Sequence, residues 1–377
     1  MALTALQAQG NGLGAAEVGE SKTSEYRGAT TAARFSDPLI EFDALRGGCG
    51  VYDLGYRAKI SLTGGDRVRW LNGMVTNNIR DLAVGQGVYA FLLNPQGHIL
   101  GDLFAYNRGD SITVDTDLSQ LEKILAAFDH YIIMDDVEVT NLSDQSKPDQ
   151  LTALGILGPR SRRVLTAAGL TLAEMQPLQL QSLTWHGADC TLVKGEDEQR
   201  DAYEVWIAQD RVRDLWDALL ATGATAVGAE AIEMHRVVSG IPRYGVDVRE
   251  RDLPQETEQA RALNFNKGCY VGQEIVERIR SRGAVHRKFT GFLAEGTGQV
   301  GAGMKISAGD KEVGEITSAT SVLLDGTAKA VALGYIRREV GVPGREVLIG
   351  STKATVVQLP LAESSVVQES VLQRHPA

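Results

Sequence analysis

Residues 87–117 read GVYAFLLNPQGHILGDLFAYNRGDSITVDTD, and this stretch decides the kind of fold open to the chain. Three β-rich runs, GVYAFLL, HILGDLFAY and SITVDT, are broken by NPQG and NRGD, both good turn sequences. Tight turns join antiparallel neighbours, so the stretch predicts a meander. DLSQLEKILAAF follows, with Leu118, Leu121, Leu125 and Phe128 at helical spacing behind Asp117 as N-cap.

Working outward, the elements stay mixed. TALGILG predicts a strand, Pro159 opens a short helix, and further strands lie around 182–194 and 202–208. Val212, Leu215, Trp216, Leu219 and Leu220 line one side of a helix, and GAEAIEMHRVVSG is another, ended by Gly240 and Pro242. There is no regular strand–helix–strand alternation, so an α+β arrangement is expected in place of a doubly wound parallel sheet. Beyond about 286 helices nearly vanish, and KFTGFLAEG, KEVGEITSAT, AKAVALGYI, REVLIG and KATVVQL predict a small β-barrel or sandwich. The expected division is a mobile tail at 1–33, rich in Gly, Ala, Gln and Ser, an α+β region at 34–285 and a β domain at 286–377.

The 377 residues are 43% hydrophobic and 23% charged, which fits a folded globular chain. A net charge of -10 argues against a protein that wraps duplex nucleic acid, because neutralising phosphates needs a Lys/Arg surplus. No apolar run is long enough to span a membrane, and the N-terminal stretch is too polar for a secretory signal. Cys49, Cys190 and Cys269 are odd in number and far apart, so neither a disulfide framework nor a metal knuckle is expected, and the cytoplasm is the expected location. P-loop, GxGxxG, HExxH and GxSxG motifs are all missing.

Three placements stand out. In HILGDLFAY, period-two alternation puts Asp102 on the face of Leu100 and Phe104. Such a carboxylate meets either water or a partner. In AYEVWIA, Glu204 shares a face with Trp206, either as a wet face or as an acid beside a flat aromatic surface. In NFNKGCYVGQEIVERIRSRG, residues 264–283, Cys269 lies on the approach to a helix that begins near Gly272 and carries Ile275, Val276 and Ile279 on one side. Helix-end N–H groups and Lys267 would favour a thiolate there, whereas an isolated cysteine can equally be a small buried hydrophobe. The run Arg278, Arg280, Arg282, Arg287 and Lys288 reads as a solvated face, the alternative being a basic surface for an acidic partner.

Lys267 to Glu274, KGCYVGQE, resembles the KGCYxGQE motif of YgfZ-type folate-binding proteins, relatives of the glycine cleavage T-protein, an aminomethyltransferase. The resemblance continues through the helix carrying Arg236, through IPRYGVDV at 241–248 and through LPQE at 253–256, and covers roughly 35–360. It implies a three-domain cloverleaf around a central tetrahydrofolate hole with a C-terminal β-barrel. It also implies that Asp102 is an essential carboxylate and that Glu204 grips the pterin, with Trp206, Arg236, Tyr244, Lys267, Tyr270 and Gln273 as further folate contacts. It adds the folate glutamate tail to the alternatives for the basic run. The paired acids of the T-protein become Gly101-Asp102 here, and its GYTGE-like turn becomes VKGEDEQRDAYE. Since T-proteins lack the cysteine motif, the resemblance favours a folate-binding protein that assists assembly or repair of iron-sulfur clusters, for example in tRNA-modifying enzymes. Cys269 and Asp102 would be its catalytic residues, and its partners iron-sulfur enzymes or cluster carriers, with the chain itself a monomer that contacts neither nucleic acid nor membrane. The alternative is a folate-dependent one-carbon transferase that takes an aminomethyl group from a lipoyl carrier.

Overall fold

The computed structural model describes residues 2–9, 22–144, 146–147, 150–283, 285–296, 299–324 and 327–361. They form two compact units, one of Met1–Leu93, Leu100–Ile232 and Arg261–Val271, the other of Asn94–Ile99, Glu233–Ala260 and Gly272–Ala377.

The first unit is built in layers. Its five-stranded sheet runs in the order Gly87–Leu93, Ile99–Asn107, Ile112–Asp117, Arg57–Thr63, Glu138–Asn141, so the expected meander forms one side of it. Alternation then sorts the side chains. Ile60, Leu62, Leu103, Ala105 and Val114 pack under the helices Arg67–Met74 and Leu118–Tyr131, which contribute Trp70, Leu71, Ile124 and Phe128. The six-stranded sheet, in the order Leu180–Trp185, Ala188–Lys194, Ala202–Ala208, Leu151–Leu157, Gly50–Asp53, Thr225–Val227, buries Leu154, Ile156, Val205 and Ile207 against Val212, Leu215, Trp216 and Leu219 of the helix Val212–Ala221. Only its last strand is parallel to its neighbour. Each such aliphatic side chain contributes about 1.5–3 kcal/mol when fully buried. The opposite faces of the two sheets meet through Tyr26, Tyr56, Tyr106, Ala153, Val193 and Trp206.

The mobile tail expected at 1–33 is corrected for the residues described. Residues Ala5–Ala8 are helical, with Leu6 fully buried in the cluster of Leu215 and Trp216, and the Thr4 amide donates to the Thr30 carbonyl at 3.1 Å. Thr23–Tyr26 and Ala29–Ala32 form a hairpin whose Tyr26 ring meets Tyr56 edge-on at 4.9 Å. Residues 10–21 lie outside the described residues.

In the second unit Arg287–Ala294, Lys305–Ala308, Lys311–Leu324, Thr327–Arg337, Glu346–Ile349 and Thr352–Val357 close into a six-stranded antiparallel barrel, filled by Phe292, Ile306, Ile316, Ile336 and Val356. The expected C-terminal β-barrel is therefore present. The expected boundary at 285/286 moves, however, because buried charges tie earlier segments to the barrel. Arg236 pairs with Asp247 at 2.7 Å, Ser318 donates to Asp247 at 2.8 Å, and Arg287 pairs with Asp252 at 2.8 Å. Removing one partner of a buried pair strands the other charge, which is why such ties are firm. Among the described residues no helix is long and apolar enough to cross a membrane.

Because Leu6 is fully buried, Leu6→Ala is expected to cost about 2–5 kcal/mol. Denaturant unfolding measures this directly, and a loss near zero would mean that the N-terminal segment is not seated in the core.

Candidate ligand site

Between the two sheets of the first unit lies a layer of charged and aromatic side chains in place of an aliphatic core. Antiparallel register sets Arg57 opposite Asp117 and Lys59 opposite Asp115. Arg57 bonds Asp115 and Asp117 at 2.8 Å each, Lys59 bonds Asp115 at 2.9 Å, and Arg27 from the N-terminal hairpin reaches Asp117 at 3.1 Å. Charges thus alternate along Arg27–Asp117–Arg57–Asp115–Lys59, with Lys59 fully buried. An isolated buried charge would cost several kcal/mol, and the alternation leaves none isolated. A row of rings runs alongside. Tyr89, Phe104, Tyr106 and Trp206 follow one another with centroids 5.0, 6.3 and 5.2 Å apart. Arg57 lies 5.6 Å from the Phe104 ring centre, and the Lys59 ammonium 4.9 Å from that of Trp206.

Asp102 and Glu204 stand at the two ends of this row. Asp102 shares the half-buried face of its strand with Leu100 and Phe104. It accepts hydrogen bonds from the Tyr89 hydroxyl and the Gln120 amide, both at 2.7 Å, while its own N–H donates to Gln120 Oε1 at 2.9 Å. Gln120 therefore fixes both backbone and side chain of Asp102. It also crowds the space beside Gly101, where a Cβ would lie 3.0 Å from Gln120 Oε1, so a second acid there would require Gln120 to shift. Burial, and then Asp117, push the Asp102 carboxyl above its ordinary pKa, more than Gln120, Tyr89 and Arg57 pull it down.

Glu204 accepts from Trp206 Nε1 at 2.9 Å through Oε2, and among the described residues nothing in the protein donates to its Oε1. Burial, and then Asp115, raise its pKa against the pull of Lys59, Arg57 and Trp206. Asp115 goes the other way, since burial is outweighed by Arg57 and Lys59, which hold it below the ordinary carboxylate range. The neighbour of Glu204 across the sheet is Gly155, itself opposite Tyr52. A Cβ on Gly155 would sit 2.2 Å from the Tyr52 ring, so glycine is what leaves room for that ring.

The other sequence candidates are distributed differently. Lys267 points its ammonium at the carbonyls of Asn72, Val75 and Asn77, at 2.6, 2.6 and 2.7 Å, which takes all its protons. Burial, and then Arg80, bring its pKa down to about 7. The buried Tyr270 ring lies 5.0 Å from that ammonium, and the Cys269 thiol is exposed. Arg236, Tyr244 and Gln273 belong to the second unit: Arg236 in its buried pair with Asp247, Tyr244 bridged to Val248, Gln273 opening the helix Gln273–Arg282 behind Gly272 at φ 80°. Sequence reasoning missed Tyr89, Gln120, Arg57, Lys59, Asp115 and Arg261. The Arg261 guanidinium stacks 4.3 Å from the Tyr89 ring centre and pairs with Glu196. RAKISLT and ITVDTD did carry a signal, charges repeating every second residue along strands.

Among the described residues no group of His, Cys, Asp and Glu is arranged to hold a metal ion. The donor set suits a flat heterocycle instead, with the half-buried Tyr52 and Phe104 rings at hand and a half-buried carboxylate oxygen ready to accept N–H donors.

Comparison with known proteins agrees with the layered fold. The profile of the GCVT N-terminal domain matches residues 16–267. A protein of Herpetosiphon aurantiacus named aminomethyltransferase is 29% identical over 371 residues, 96% of this chain and 98% of that one. Another of that name from Rubrobacter xylanophilus is 27% identical over 341 residues, 89% of each chain. The crystal structure of glycine cleavage system aminomethyltransferase T from Bartonella henselae superimposes with a TM-score of 0.80 over 92% of this chain and 96% of that one, at 21% identity.

A carboxyl whose folded pKa is raised contributes stability below its unfolded pKa and loses it as pH rises through the folded pKa. Both Asp102 and Glu204 are raised, so at pH 7 each works against folding. Glu204→Gln and Asp102→Asn are therefore expected to leave the Tm at pH 7 unchanged or higher in scanning calorimetry, and a clear drop in both would contradict this.

Proposed function

Because the chain belongs to the GCVT N-terminal domain family, we propose that it binds tetrahydrofolate in the inter-sheet layer of its first unit and acts as a folate-dependent one-carbon transferase of the aminomethyltransferase kind. The observation that carries this reading is Glu204, a half-buried carboxylate beside Trp206 and Tyr52 with Oε1 ready to accept. A pterin offers an amino group and an adjacent ring N–H along one edge, and one carboxylate can accept both. Tetrahydrofolate, when bound, supplies the nitrogens that take up the one-carbon unit.

The other residues prepare the opposite end. Tyr89 and Gln120 hold Asp102 in one orientation, and a carboxylate fixed in advance stabilises developing positive charge without having to reorganise. Its raised pKa also suits it to take up and return a proton. Arg261 stacks over Tyr89 at this corner. The names of the Herpetosiphon and Rubrobacter relatives support the transferase reading.

A second reading, help in iron-sulfur cluster assembly or repair, is favoured by one observation, the exposed Cys269 thiol inside KGCYVGQE. One thiol cannot hold a cluster alone, so a partner would supply the remaining ligands.

Anaerobic calorimetry of tetrahydrofolate with wild type and Glu204→Ala tests the site. Saturable binding that weakens by about 3 kcal/mol in the variant, roughly a hundredfold, is expected from lost charge-assisted bonds. No binding by wild type would overturn the assignment. Methylenetetrahydrofolate formed from an aminomethylated lipoyl protein, lost in Asp102→Asn and kept in Cys269→Ala, is the outcome expected of a transferase. Iron-sulfur enzyme activity restored to deficient cells by Asp102→Asn but not by Cys269→Ala would select the second reading.

A further inference from the structure

We infer that Lys59 is a positioning residue for Glu204: fully buried, it cannot touch a ligand, and it acts through the Trp206 indole and through Asp115. The inference rests on the reading of Glu204 as the carboxylate that receives the ligand.

The geometry comes first. Lys59 lies on Arg57–Thr63 in the five-stranded sheet, whereas Glu204 and Trp206 lie on Ala202–Ala208 in the six-stranded one. One indole joins them. The Lys59 ammonium faces the Trp206 ring at 4.9 Å, and the Nε1–H of the same ring donates to Glu204 Oε2 at 2.9 Å. An ammonium against the ring face draws on its π electrons and strengthens the N–H at the ring edge as a donor. A lysine at this place therefore fixes the tilt of the indole and, through it, the direction in which Oε1 points. A hydrocarbon side chain of the same length would fill the space without doing either.

Charge is the second route. The groups facing Glu204 are Tyr52 from Gly50–Asp53, Arg57 and Lys59 from Arg57–Thr63, Tyr106 from Ile99–Asn107, Asp115 from Ile112–Asp117, and Trp206 from its own strand. The tyrosines are neutral at physiological pH, since burial pushes their hydroxyls up. That leaves two cations and one anion to set the charge state of Glu204. Lys59 offsets Asp115 twice over, by pairing with it at 2.9 Å and by its own attraction for the Glu204 carboxylate. Without Lys59, burial and Asp115 are opposed by Arg57 and the indole alone, and Glu204 holds its proton to higher pH. A protonated Glu204 donates where it should accept, so binding of N–H donors is lost.

The two partners of the pair then have opposite signatures, which loss of structure would not reproduce. Tetrahydrofolate affinity is measured anaerobically by calorimetry as a function of pH for wild type, Lys59→Met and Asp115→Asn, with thermal unfolding of each as a check on folding. Wild-type affinity falls as pH drops through the Glu204 titration. The midpoint is expected to move to higher pH in Lys59→Met and to lower pH in Asp115→Asn. Should Lys59→Met fail to fold, the direction of the Asp115→Asn shift decides alone. Unmoved midpoints, or shifts of the same sign, overturn the role of Lys59 while leaving the folate site standing. Absence of binding in wild type overturns the folate site itself, and this inference with it.

Discussion

Two cationic side chains on one strand face two aspartates on the next, Arg57 opposite Asp117 and Lys59 opposite Asp115, and this cross-strand match is what allows two sheets to enclose a polar layer. Packed sheets ordinarily interleave aliphatic side chains. Here the main aliphatic clusters of both sheets face outward, under helices on either side, and the inner faces carry charge and aromatic rings, with Ala153 and Val193 among them. Every other feature of the site follows from that division. Asp102 and Glu204 are held half-buried in a low dielectric, and the ring row runs between them. The N-terminal hairpin is part of the same construction, because Arg27 caps the charge sequence at Asp117.

Much of the fold was legible because its signals are local. Alternation within GVYAFLL and HILGDLFAY marks strands without reference to anything distant, and the closing run of short strands marks the barrel. The N-terminal segment was illegible for the opposite reason. Its composition is that of a tail, and one leucine, Leu6, seats it in a core assembled from residues some two hundred positions away.

The site divides along the same line. Asp102 and Glu204 were found because each interrupts an apolar or aromatic alternation. Arg57 and Lys59 were missed because a charged residue at every second strand position usually looks out to water, and here a strand more than fifty residues later turns that face inward. Lys267 shows how adjacency misleads. It stands two places from Cys269, yet its ammonium closes on carbonyls at 72, 75 and 77, at the end of the helix Arg67–Met74. Local order in the chain suggested a thiolate partner, and the tertiary fold uses the same charge to satisfy carbonyls that the helix leaves open.

The proposed folate site lies in this polar layer of the first unit, where two carboxyls are held with raised pKa. A crystal structure of the protein with tetrahydrofolate tests that most directly. The account predicts the pterin edge on Glu204 and the Asp102 carboxylate turned toward the reduced ring. A pterin bound away from this layer, with Glu204 meeting only solvent, would contradict it.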